Sequence, residues 1–70
     1  MYRIKFFNGG SPYWLTGGDG GDPARTLCED SAKKFRTETS AKRFRTKIIN
    51  QNQHRYKGLN IDVLSEIENI

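Results

Sequence analysis

Lys33, Lys34, Arg36, Lys42, Arg43, Arg45 and Lys47 are seven of the chain's twelve Lys and Arg residues, and within residues 33–47 only Glu38 opposes them. That stretch carries a net +6, while residues 1–31 and residues 48–70 each sum to −1. Clustered cations do one kind of chemistry well. They displace counterions from phosphates, or meet carboxylates on a complementary surface. A solvated helix face also carries charge for solubility. Six net positive charges in so short a run exceed that need in a chain of 70 residues and net charge +4. The seven cations are therefore read as a partner- or nucleic-acid-binding surface. An acidic protein surface, a nucleoprotein complex, DNA or RNA would each satisfy the same charges.

Two aromatic side chains extend this surface. Alternation along Tyr2–Phe7 and Pro12–Thr16 sets Phe7 and Trp14 on faces opposite the expected core. There they could form a stacking platform or a protein contact. The competing reading is that both faces of the sheet are covered and that Trp14 closes the end of the core.

Other chemistry finds little support. Gly17-Gly18-Asp19-Gly20-Gly21-Asp22 offers two carboxylates, too few for the six to eight oxygens of a calcium loop. Pro23-Ala24-Arg25-Thr26 does not supply the Lys-Ser/Thr pair of a phosphate cradle. A single cysteine, Cys28, excludes an internal disulfide and cannot build a zinc site. Cys28, Asp30 and His54 are the residue types of a nucleophilic triad, but nothing in their spacing brings them together. No carboxylate pair is spaced for general acid–base work, and a chain this short has little volume for a substrate pocket. The expectation is no catalytic residue, no metal and no cofactor.

Seventy residues make one small domain with a thin core, with residues 17–23 as a flexible Gly/Asp-rich loop. The charge and the lone cysteine suit a cytoplasmic setting, without a membrane partner. Met1-Tyr2-Arg3-Ile4-Lys5 interleaves charge with apolar residues, unlike a signal peptide, and no apolar run approaches the roughly 20 residues of a membrane span.

The elements that must position the cations follow from periodicity. Tyr2–Phe7 alternates as a half-buried strand, Asn8-Gly9 supplies a tight turn, and Pro12–Thr16 returns as a second strand. Thr26-Leu27-Cys28 reads as a short strand or a packed loop. The cationic run contains a near-repeat: Ala32-Lys33-Lys34-Phe35-Arg36-Thr37 returns nine residues later as Ala41-Lys42-Arg43-Phe44-Arg45-Thr46. On one continuous helix, nine steps of 100° would set Phe35 and Phe44 on opposite sides. A break at Thr37 resolves this. Lys33–Arg36 is then extended with Phe35 turned inward, and Thr37 caps a helix from Glu38 to about Gln53. Ala41, Phe44 and Ile48 form its apolar stripe. Lys57-Gly58 ends it, and Leu59, Ile61 and Val63 alternate as a final strand that Ser65–Ile70 continues or frays.

The fold class expected is α+β: a small, mainly antiparallel sheet of three or four strands with one helix on one face, in the order β-β-(β)-α-β. Ile4, Phe6, Leu15, Leu27, Phe35, Ala41, Phe44, Ile48, Leu59, Ile61 and Val63 are the expected core. The run Ala32–Ala41, an A-x-x-F-x-T segment followed by a capped helix, resembles a segment of many small phage and prophage accessory proteins, which often begin with a hairpin. The resemblance implies a non-enzymatic binder that inhibits or modulates a larger host or phage machine, an anti-CRISPR-like role among them, in the host cytoplasm. Direct nucleic-acid binding through residues 33–47 and a minor structural place in an assembly are the alternatives.

Overall fold

The computed structural model describes residues 1–7, 10–17 and 24–70. The expected turn at Asn8-Gly9 and residues 18–23 of the expected loop lie outside the described residues.

Strands β1 (Tyr2–Phe6) and β2 (Tyr13–Leu15) pair antiparallel, with Lys5 opposite Trp14 and Phe6 opposite Tyr13. Between them Gly10 has φ +82°, a left-handed backbone that favours glycine. A two-residue strand β3 (Arg25–Thr26) adds to β2. A single 3-10 turn (Glu29–Ser31) follows. Next come helices α1 (Glu38–Gln51), α2 (Gln53–Tyr56) and α3 (Ile61–Leu64), and then strand β4 (Ser65–Asn69). β4 lies antiparallel to the free edge of β1, giving one sheet ordered β3-β2-β1-β4. The molecule is thus the α+β sheet and helix that the sequence predicts.

The near-repeat is one packing contact rather than two copies of a structure. Phe35 exchanges both backbone hydrogen bonds with Tyr2, at 2.8 and 2.7 Å, so its segment is extended. Thr37 sits in β conformation and its Oγ1 accepts from the Ser40 N–H at 3.1 Å, which starts α1. The rings of Phe35 and Phe44 then meet with centroids 5.2 Å apart.

Between α1 and the sheet lie Ile4, Phe6, Tyr13, Leu15, Phe35, Ala41, Ile48 and Tyr56, with Phe44, Ile49, Ile61 and Ile67 packed against them. Full burial of a side chain such as Ile4, Phe6 or Leu15 stabilises by about 1.5–3 kcal/mol. Tyr13 and Tyr56 belong to this core although sequence reasoning left both out. Their rings flank Phe6, and their hydroxyls share a buried hydrogen bond of 2.9 Å.

The C-terminal third departs from expectation. α1 ends at Gln51, two residues early, because Asn52 leaves helical geometry and donates its side-chain amide to the Ile48 carbonyl at 2.8 Å. Gly58 takes φ +80°, and the strand expected over Leu59–Val63 is instead the helical turn α3. The strand proper begins at Ser65, where Ile67 can lie opposite Ile4. Ile61 packs on the core, while Leu59 and Val63 are exposed, Val63 at 68%. Leu27, another expected core residue, lies just past the end of β3 and is 73% exposed. Among the described residues no helix is long and apolar enough to cross a membrane.

Candidate docking surface

The fold divides the seven cations among different tasks. α1 turns the stripe Ala41, Phe44, Ile48 inward, and the 100° step places Arg45 and Asn52 within the same inner arc as Ala41 and Ile48. Arg45 is correspondingly drawn in, its side chain 15% exposed. Its Nη1 donates to Ser65 Oγ at 3.1 Å and its Nη2 lies 3.7 Å from Asp62 Oδ1. Arg45 therefore ties α1 to the start of β4, and its expected place on the binding surface is corrected. The spacing Ala41, Arg45, Ile48, Asn52, four, three and four residues apart, carried this signal in the sequence.

Lys33 lies over the paired phenylalanines, its Nζ 5.6 Å from the Phe35 ring and 5.9 Å from Phe44. That position brings it beside α1 while its charge stays in solvent. Lys34, one step along the extended segment, points away from Lys33 and donates to the Asp30 carbonyl at 3.4 Å. Lys42 pairs with Glu38 one helical turn earlier, at 3.0 Å and largely exposed. Such pairs contribute only about 0.3–0.5 kcal/mol and separate readily. Arg36, just ahead of the cap, and Arg43 and Lys47 on α1 are exposed, and their side chains meet no ionic or hydrogen-bonding partner among the described residues. Thr39, Lys42, Arg43 and Thr46 line a shallow open depression on the outer side of α1.

The opposite face of the sheet holds the second cluster. Arg3, Lys5, Trp14, Glu66 and Glu68 share it by strand alternation. Trp14 is only 6% exposed, which removes it from the possible contact platform. Its indole N–H donates to Glu68 Oε1 at 2.7 Å, and Arg3 Nε donates to the same oxygen at 2.8 Å. The Arg3 guanidinium and Lys5 ammonium stand 5.7 and 5.6 Å from the Trp14 ring. The 3-10 turn folds over this side, where Arg3 also meets Glu29 Oε2 at 3.2 Å. Burial pushes the Glu68 carboxyl up, but the hydrogen bonds from Trp14 and Arg3, with the Arg3 and Lys5 charges, outweigh it and hold the carboxyl below its ordinary value. The Glu68 hydrogen bond in turn holds the Arg3 guanidinium above its ordinary value. Phe7 remains 39% exposed beside Lys5, whose Nζ is 5.3 Å from the ring.

Cys28 and Asp30 sit at the 3-10 turn and His54 lies on α2. Among the described residues, no group of three or more His, Cys, Asp or Glu is placed to hold a metal ion. Compared with protein-family models, with curated proteins and with solved structures, the chain finds no match.

Proposed function

We propose that this chain is a non-enzymatic binding protein that docks the outer face of α1, with the strand leading into it, on an anionic surface of a larger host protein or nucleoprotein complex. It acts there as a phage-type inhibitor or modulator, by occupying a site that another anion-binding partner would use. The observation that carries the reading is the contrast between spent and unspent charge. Arg3, Lys5, Lys42 and Arg45 all have carboxylate partners, whereas Arg43 and Lys47 stand on one exposed helix face with none among the described residues. Rim charges of this kind raise association rates and set partner choice.

Affinity capture with the intact chain and with the Arg43→Glu/Lys47→Glu variant tests the reading. Both positions are exposed, so the variant should fold. Loss of the partners that the intact chain retains is expected. Equal capture of every partner by both proteins would remove α1 as the docking surface.

A further inference from the structure

We infer that the anionic partner of α1 is double-stranded DNA, bound chiefly through its phosphates. The inference rests on the docking reading above and narrows it to one class of partner.

Three observations select this partner. The outward positions of α1 are Thr39, Lys42, Arg43, Thr46, Lys47 and Asn50, and none is apolar. A protein interface of ordinary strength needs apolar or aromatic anchors at its centre, whereas nucleic-acid interfaces are polar and strongly positive. The exposed large apolar side chains among the described residues, Met1, Phe7, Leu27, Leu59, Val63 and Ile70, all lie outside α1. Second, single strands are held by stacking bases on aromatic rings. The Phe35 and Phe44 rings are turned inward and Trp14 is buried, so this face offers no stacking platform. Third, the donors suit phosphate and groove edges. The Lys33 ammonium overlies Phe44, three residues from Lys47, and so stands on the Lys47 edge of the outer face; Arg43 lies near its centre and Lys42 on the far edge, so the four cations straddle it. Asn50 accepts from Gln53 through Oδ1 at 3.4 Å, leaving its NH2 without a partner among the described residues. From Thr39 to Asn50 the helix rises about 16 Å, close to five base-pair steps of about 3.4 Å. The major groove of B-form DNA admits an α-helix, while that of A-form RNA is too narrow to read.

Fluorescence anisotropy with a labelled DNA duplex of about 20 base pairs, a labelled single strand of equal length and, separately, labelled poly-L-glutamate tests this over 50–200 mM salt. Four phosphate contacts, by Lys33, Lys42, Arg43 and Lys47, give a slope of log K on log salt near −3.6, or about 150-fold weaker binding across that range. Arg43→Gln/Lys47→Gln should flatten the slope by about 1.8, and Lys57→Gln, in the turn beyond α2, should leave it unchanged. Tighter binding of the single strand, or an unchanged slope in the double variant, overturns the inference. If poly-L-glutamate binds in an Arg43- and Lys47-dependent way and the duplex does not, the docking reading stands and the DNA inference falls. If neither binds at 50 mM salt, both fall.

Discussion

Glu68→Ala should destabilise the fold by about 2–4 kcal/mol, although the residue lies on the side of the sheet away from α1. The magnitude follows from what its carboxylate holds. Oε1 accepts from the Trp14 indole at 2.7 Å and from Arg3 Nε at 2.8 Å, and Oε2 lies 3.9 Å from Lys5 Nζ. Removing it strands a buried indole N–H, which costs about 1–3 kcal/mol, and removes a charge-assisted bond to a guanidinium that is mostly covered. For a domain this small the loss corresponds to a fall in Tm of roughly 8–16 °C or more. Urea unfolding followed by far-ultraviolet circular dichroism measures it, and a cycle with Trp14→Phe isolates the indole. In the Trp14→Phe background no indole N–H is left unpaired, so the cost of Glu68→Ala should fall by about 1 kcal/mol or more. Equal costs in both backgrounds, or a cost below about 0.5 kcal/mol, would refute the argument that this carboxylate organises the open face. The same contact fixes a pH dependence. The folded carboxyl sits below its ordinary value, so the unfolded chain binds the proton more tightly. The stabilisation is present above about pH 4.3 and is lost as pH falls through the lower folded value. Glu68→Gln should flatten that acid limb.

Thr37→Ala should cost about 1 kcal/mol in the same unfolding assay, because the Ser40 N–H loses its cap; a change within 0.3 kcal/mol would count against Thr37 as the hinge of the near-repeat. Tyr56 is held above the ordinary phenol range, first by burial and then by its hydrogen bond with Tyr13. Between the unfolded and folded values the folded state binds the extra proton, so stability should fall as pH rises above about 10, and Tyr56→Phe should reduce that slope. An alkaline limb of equal slope in Tyr56→Phe would refute the assignment. Tyr56→Phe should also cost about 1 kcal/mol at neutral pH, read from urea midpoints.

Much of the scaffold was legible because it is local. Tyr2, Ile4 and Phe6 alternate, and a two-residue period has one structural meaning when a turn signal follows. The hinge at Thr37 was legible for a geometric reason, since only a break lets Phe35 and Phe44 face the same core. Leu59–Val63 misled because alternation over so few residues does not exclude a helical turn, which the chain forms at Ile61–Leu64. β4 was hard to place because Glu66 and Glu68 give Ser65–Ile70 the look of a polar tail. The Glu68 charge is answered by Arg3 and Lys5, more than 60 positions away in the chain.

By itself the sequence determined the α+β class, the inward turn of both phenylalanines and the focusing of cationic charge between Lys33 and Lys47. These depend on neighbours within a few residues. Only the tertiary structure decided which charges remain available. It drew Arg45 to Ser65 and Asp62, set Lys34 against the Asp30 carbonyl, and buried Trp14 beneath Arg3 and Lys5. Whether a cation is satisfied depends on which carboxylates and carbonyls the fold brings within about 4 Å, and residue order does not contain that distance.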